Sequence, residues 1–260
     1  MIVLEPDSGL LACGDEGAGR MPDVPVIVQR ARDYFGARDL EGRSILITAG
    51  PTREPIDPVR YISNRSSGKM GYALADAARR RGARVTLVSG PTALPAPAGV
   101  ELIDVLTAQE MHDAVLERLG TYDIVIMAAA VADYTPAKVA GTKIKKESAG
   151  ESLTLELRKN PDILLAVGAA SPRPFTVAFA AETDNVEAHA REKLQRKNAD
   201  LIVANDVSDR TIGFDSDENE GLIIARDGSV TPLARGPKLV IANRILDRLL
   251  ESLLATPPVP

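Results

Sequence analysis

A doubly wound, Rossmann-like α/β fold, with a mostly parallel sheet and antiparallel additions at its edge, is the architecture this 260-residue sequence predicts. Three observations lead there. Five short, continuous apolar runs, at 45–49, 84–89, 123–130, 175–181 and 200–204, are rich in β-branched residues, as suits strands covered on both faces. Helical periodicity separates them, at 68–81, 108–119, 161–170 and 186–197, the alternation of a parallel sheet wound by crossover helices. Two further segments, 152–158 and 222–233, alternate apolar with polar residues, the second around the turn signal Asp227-Gly228, and read as antiparallel strands at a sheet edge.

Along the chain, residues 1–39 begin Gly/Asp/Pro-rich and become amphipathic over 24–35. The run at 45–49 ends at Gly50-Pro51, which forces a turn, and a long polar loop over 54–67 precedes the helix that opens at Gly68. The Pro/Ala-rich link at 91–99 leaves no room for a packed helix before one more strand at 101–105. Asn160-Pro161-Asp162 is a helix start, with Asn as N-cap and Pro at the first helical position. A last helix follows the edge hairpin, and 256–260 is a Pro-rich tail expected to be disordered. The expected organisation is a short N-terminal segment (1–39), one domain (40–255) and that tail.

Composition narrows the function. With 31 Lys and Arg against 36 Asp and Glu, the net charge of −5 argues against a nucleic-acid partner, which calls for a basic face. Cys13 is the only cysteine, so no intrachain disulfide can form, and His112 and His189 are the only histidines, which excludes Cys₂His₂ zinc and disfavours a histidine base. No apolar run approaches the ~20 residues of a membrane helix. Residues 1–11 lack the basic start of a secretion signal. A soluble, cytoplasmic protein without a membrane partner is expected.

Ligands of doubly wound sheets bind beyond the carboxyl ends of the strands. After the first strand, Arg53, Arg60, Arg65 and Lys69 outnumber Glu54 and Asp57, and this basic loop runs into a helix N-terminus, where free N–H groups and the dipole favour an anion. Gly50 suggests a dinucleotide fingerprint, but no G-x-G-x-x-G follows, and Gly68-Lys69 lacks P-loop spacing. The strand at 123–130 ends in small residues, Met127-Ala128-Ala129-Ala130, that let a flat ligand approach the backbone. Asp133 then follows, placed to read a base edge or to help hold Mg²⁺. Lys138, Lys143, Lys145 and Lys146 form a basic run, either a solvated edge or part of the site. Asn160-Pro161-Asp162 is either punctuation or a second anion-binding helix end, and Lys193 and Lys197, at i and i+4, are either surface lysines or cations on one face of a helix beside the site. Together these residues describe a polyphosphate-binding enzyme that relies on Lys, Arg, Asn and backbone amides.

These same residues resemble a known family. Ile47-Thr48-Ala49-Gly50-Pro51-Thr52-Arg53-Glu54-Pro55, Tyr61-Ile62-Ser63-Asn64-Arg65-Ser66-Ser67-Gly68-Lys69-Met70-Gly71 and Ala129-Ala130-Val131-Ala132-Asp133-Tyr134 resemble phosphopantothenoylcysteine synthetase, the phosphopantothenate–cysteine ligase of coenzyme A biosynthesis. So do Lys143-Ile144-Lys145-Lys146, Lys159-Asn160-Pro161-Asp162-Ile163, Phe179-Ala180-Ala181-Glu182-Thr183 and Ala204-Asn205-Asp206, in the family's order from about 40 to 250. Residues 6–21 resemble the flap of the flavin-dependent decarboxylase fused ahead of the ligase in many prokaryotes. The resemblance makes Cys13 that enzyme's proton donor in an intact fusion, with FMN needed only in the missing decarboxylase half, so decarboxylation is not expected here.

The resemblance implies the rest. The carboxylate of 4′-phosphopantothenate would attack the α-phosphate of CTP, and L-cysteine would then displace CMP from the acyl-cytidylate. Asn64 and Lys143 match the family's catalytic residues. Met127, Ala128, Ala129, Asp133, Lys143, Pro161, Asp162, Ile163, Leu164, Phe179, Lys193 and Lys197 match its CTP-binding residues, and Arg60 with Asn64 its phosphopantothenate contacts. Mg²⁺ would be held mainly by the triphosphate, with Asp133 as the candidate side chain. Family members are homodimers with strands reaching across to the partner. The competing readings are a nicotinamide-dependent oxidoreductase, against which the absent glycine fingerprint counts, and a non-catalytic nucleotide-binding module.

Overall fold

The computed structural model describes residues 6–10, 16–22, 24, 27, 31, 36–145, 151–182, 184–206 and 216–255. Cys13, Lys146, Thr183 and the tail 256–260 lie outside the described residues. A small antiparallel pair, β1 (Asp7–Leu10) and β2 (Glu16–Arg20), comes first, and Val24, Ile27 and Ala31 are helical. The domain proper starts where Leu40 enters the core fully buried.

Eight strands form the main sheet. In chain order they are β3 (Ser44–Ala49), β6 (Arg84–Ser89), β7 (Glu101–Asp104), β8 (Ile124–Met127), β11 (Phe175–Glu182), β12 (Leu201–Asp206), β13 (Glu218–Ala225) and β14 (Val230–Pro237). In space the order is β14-β13-β12-β11-β8-β3-β6-β7, with β12 through β7 all parallel and β13 and β14 antiparallel. The central strands β3 and β8 are buried along their whole length, which is why their sequences run apolar without alternation.

Side chains still alternate between two cores. Ile45, Ile47 and Ala49 of β3 face one side, where α1 (Lys69–Arg80) and α5 (Lys238–Ala255) pack. Leu46 faces the other, covered by α2 (Ala108–Leu116), α3 (Ile163–Gly168) and α4 (Val186–Arg196). Thr107 starts α2 with a full capping box, its hydroxyl accepting from Glu110 N–H while Glu110 reaches back. Arg81, at the end of α1, is clamped between Asp39 and Asp247 (2.7 Å to each) and so ties α1, α5 and the segment entering the domain together.

Two small ribbons stand outside the sheet. One pairs β4 (Arg53–Pro55) with β5 (Tyr61–Ser63), and the other pairs β9 (Tyr134–Pro136) with β10 (Leu157–Lys159). The hairpin expected at 222–233 is present at the sheet edge. The segment 152–158 is not there: only its last residues are in β10, which pairs with β9 instead. Its alternation signalled two unlike faces but carried no information about a partner, and both edges of the large sheet are occupied by β7 and β14. The strand expected at 123–130 is shorter as well, because from Ala128 the chain leaves the ladder. Among the described residues, no helix is long and apolar enough to cross a membrane.

Gly71 sets how closely α1 approaches the sheet. A Cβ there would lie 2.5 Å from Ala49 Cβ and 3.0 Å from Thr48 O. Gly71→Ala is therefore expected to destabilise the domain by about 1–3 kcal/mol through overpacking. At roughly 2–4 °C per kcal/mol for chains of this size, thermal denaturation resolves the change, and an unaltered melting temperature would refute the close approach.

Candidate active site

From β3 the chain winds outward through β6 and β7, then returns to β8 on the other flank of β3. The carboxyl ends of β3 and β8 thus diverge, opening the crevice in which open α/β sheets place their ligands. Past β3, Gly50 (φ 71°) and Gly68 (φ 77°) turn the backbone in the left-handed region. They are neighbours in space, a Cβ on Gly68 lying 3.4 Å from Gly50 Cα. With Gly71 they reproduce the layout of the glycine-rich turn of dinucleotide folds, interrupted by residues 51–67, which carry the β4–β5 ribbon. No linear pattern could show this; the one available signal was Gly68-x-x-Gly71 at the head of an amphipathic helix.

Past β8 the backbone of 128–133 leaves β11 but keeps a bridge to the chain beyond β3, Ala130 N–H donating to Gly50 O (2.9 Å), and side chains hold the rest. Thr48 Oγ1 accepts from Ala129 N–H (3.2 Å), and the buried Thr52 Oγ1 accepts from Ala132 N–H (3.0 Å). Asn160 Nδ2 donates to Ala132 O (2.8 Å). The Asn64 amide donates to Val131 O (2.9 Å), which seats it against the same loop. These bonds shape one cleft with two chambers, of about 570 and 440 Å³, that share Ala129, Val131, Asp133, Phe179 and Lys193.

The outer chamber has Met127 and Phe179 as apolar walls and four cations, Lys159, Lys193, Arg196 and Lys197, facing two carboxylates, Asp133 and Asp162. Lys193 Nζ donates to Phe179 O (2.9 Å). Lys197 is ion-paired with Asp162, whose other oxygen caps α3 by accepting from Leu165 N–H (3.0 Å). Burial pushes the Asp162 carboxyl up, but the Lys197 and Leu165 hydrogen bonds outweigh it and hold the group below its usual range. The start of α3, expected to receive phosphates, is thus already occupied by a carboxylate of its own chain. The inner chamber is lined by Asn64, by the turn into α1 with Lys69, and by Asn205, Asn219 and Lys238. Among the described residues, the side-chain amide oxygen of Asn205 is buried there without a hydrogen-bond partner.

Most residues singled out from sequence meet in this cleft: Asn64, Met127, Ala128, Ala129, Asp133, Pro161, Asp162, Ile163, Leu164, Phe179, Lys193 and Lys197. Arg60 and Lys143 line neither chamber. Arg60 precedes β5 and Asn64 follows it, a separation of roughly 13 Å along an extended strand. Lys143 is exposed beside Ile144, whose carbonyl accepts from Arg60 (2.7 Å). Sequence reasoning missed Lys159 and Arg196 as outer-chamber cations, and Asn219 and Lys238 of the inner one. The last two come from the edge hairpin and the final helix, where nothing local marks them. Among the described residues, no cluster of three or more His, Cys, Asp or Glu could hold a metal ion by itself.

Residues 40–253 match the family described as the DNA/pantothenate metabolism flavoprotein C-terminal domain. The chain belongs to this family. Over 253 residues (96% of the chain) it is 53% identical to the coenzyme A biosynthesis bifunctional protein CoaBC of Escherichia coli K12, and over 250 residues (95%) it is 47% identical to that of Bacillus subtilis. It spans about three fifths of those relatives, 62% and 61% of their lengths. A crystal structure of the C-terminal domain of a CoaBC protein superimposes with a TM-score of 0.73 at 42% identity, covering 85% of this chain and all of that one. The family member from Streptococcus pneumoniae gives 0.68 at 26% identity, covering 81% of this chain and 99% of that one. The family's fold is thus shared.

Asp162→Ala removes both the α3 cap and the brace on Lys197. The lost cap alone is expected to cost about 0.5–2 kcal/mol at neutral pH. Because folding lowers the carboxyl's pKa, its contribution is complete above the unfolded value of about 3.9 and is lost as pH falls through the lower folded value. Urea titrations of the two proteins should therefore differ at pH 7 and converge in acid; a constant difference would refute the assignment.

Proposed function

We propose that this domain joins 4′-phosphopantothenate to L-cysteine in coenzyme A biosynthesis, through an acyl-cytidylate made from CTP. What carries the reading is the single cleft at the strand-switch point, whose two chambers hold the Asn64 amide and a set of cations and share Lys193. The family membership and the relatives' names supply the substrate class.

A carboxylate resists an amine nucleophile, so it is first activated. Its oxygen attacks the α-phosphorus of CTP and pyrophosphate leaves. The cysteine amine then attacks the acyl carbon and CMP leaves with the bonding electrons. The first step gathers negative charge, and pre-placed cations lower its barrier because they need not reorganise. Lys193 and Lys197 take the nucleotide phosphates, Phe179 packs against the base, and the braced 128–133 backbone with Asp133 reads it. In the second step Asn64 donates to the oxygen that becomes anionic; an amide has two N–H donors, and Val131 O takes one of them. Mg²⁺ fits this donor set as a companion of the triphosphate, since the ion keeps waters and takes one or two carboxylates plus phosphates, and Asp133 is the carboxylate common to both chambers. Bound there, it supplies neutralisation of phosphate charge.

Lys143 and Arg60 enter this scheme from a second copy of the chain. Beside them the two ribbons expose Val59, Tyr61, Tyr134 and Val139, between 47% and 59% accessible, an apolar surface suited to burial in a homodimer. Lys143 then promotes acyl-cytidylate formation in the partner's cleft, and Arg60 meets phosphopantothenate there.

Incubation with each of the four nucleoside triphosphates, phosphopantothenate, cysteine and Mg²⁺ tests the overall reaction; pyrophosphate and CMP are expected from CTP. Pyrophosphate without phosphopantothenate, or none with any triphosphate, would refute it. Asn64→Asp is expected to slow the cysteine step about 10²–10³-fold, as for loss of an oxyanion donor, with acyl-cytidylate accumulating in rapid-quench samples. Lys143→Gln should instead slow pyrophosphate release. If Lys143 acts across the dimer, the two inactive variants, unfolded and refolded together, regain about a quarter of wild-type activity, because half the dimers carry one intact site of two. Absence of recovery would place Lys143 in its own chain's site.

A further inference from the structure

The turn joining β4 to β5 buries a carboxylate that the scheme above does not use. The side chain of Asp57 has no exposure to solvent, although its partner Arg60 is 42% exposed. Asp57 Oδ1 closes the turn by accepting from the N–H groups of Val59 (2.8 Å) and Arg60 (2.9 Å). Oδ2 accepts from Arg60 Nε (2.9 Å) and Nη2 (2.5 Å), and also from the N–H of Ile144 (3.1 Å), which is 87 residues away in sequence. Arg60 Nη2 completes the ring by donating to Ile144 O (2.7 Å), and Ala140 N–H donates to Ile56 O (2.9 Å). Both backbone groups of Ile144 are therefore held by one Asp–Arg pair.

A turn needs only Oδ1. Oδ2 is spent on a segment, 141–145, that belongs to no helix or strand and whose Gly141, Thr142, Lys143 and Lys145 are exposed. Burial alone would push the Asp57 carboxyl up; the donors from Arg60, Val59 and Ile144 prevail and hold it well below the usual carboxylate range. The group thus stays charged at any working pH, and its grip is charge-assisted.

We propose that Asp57 is a positioning residue that fixes Lys143 to the β4–β5 ribbon through Ile144, so that Lys143 and Arg60 are presented as one rigid unit. The inference rests on the reading in which Lys143 promotes acyl-cytidylate formation. An exposed lysine on an untethered loop would lose conformational freedom each time it met a phosphate; the tether removes that loss beforehand.

Two variants break the tether differently. Asp57→Asn removes the charge, and Ile144→Pro leaves the Asp57–Arg60 pair intact but removes the donated N–H, its ring also fixing φ at 144 and restricting the backbone of Lys143. Both are expected to lower kcat for pyrophosphate release on the order of 10²-fold, with a smaller change in KM for CTP. Ile144→Pro combined with Lys143→Gln should be no slower than Lys143→Gln alone, because both remove the same contribution, whereas Asp57→Asn also frees Arg60. Independently of activity, trypsin should cut after Lys143 faster in Asp57→Asn than in wild type. Multiplying defects, wild-type kcat in Ile144→Pro beside a slow Lys143→Gln, or unchanged cleavage in Asp57→Asn would each overturn the proposal. If Lys143→Gln turns over normally while cleavage in Asp57→Asn is faster, the tether stands and it is the catalytic role of Lys143 that fails.

Discussion

The cleft depends on a few hydrogen bonds that part the 128–133 backbone from β11 while Ala130 still pairs with the chain beyond β3. A strand as apolar as β8 would otherwise continue beside β11 and close the crevice. It stops because Thr48, Thr52 and Asn160 offer its backbone groups partners outside the ladder. Leaving such groups buried and unpaired would cost about 1–3 kcal/mol each, so the three side chains decide the path of the loop. Asn64 then docks on that loop, and Phe179 and Lys193 face it from β11 and α4.

The charge distribution follows the same logic of restraint. The protein is acidic overall, yet its cleft gathers four cations around two carboxylates in the outer chamber. Two of these cations are held in place: Lys193 on a backbone carbonyl, Lys197 on the cap of α3. Fixed charges of this kind stabilise a developing anion without the reorganisation that water would need. The Asp57 clamp applies the principle to a loop, where no regular element is available to hold the lysine.

Much of this was legible in the sequence, for identifiable reasons. The parallel strands announced themselves because burial on both faces leaves no polar position to break the apolar run, as in β3. Asp133 and Lys193 were legible because each lies past a strand's carboxyl end or on the helix after one, which topology alone directs to one rim; Asn64 and Phe179 were legible through the family resemblance. Asn219 and Lys238 were not, since their place in the inner chamber depends on how the edge hairpin and last helix fold back. The placement of 152–158 failed for a related reason: alternation fixes which side chains face together but not which strand lies alongside.

By itself, then, the sequence determined the parallel winding, the main strands and helices and many of the residues gathered at the strand ends, because periodicity and local turn chemistry act over a few residues. The tertiary structure alone decided that Gly50 and Gly68 meet across a 17-residue interruption, that two chambers form one cleft, and that Asp57 reaches Ile144 while Lys143 lines neither chamber. Those facts arise from contacts between residues far apart in the chain, and such contacts follow from how layers pack, which no local pattern encodes.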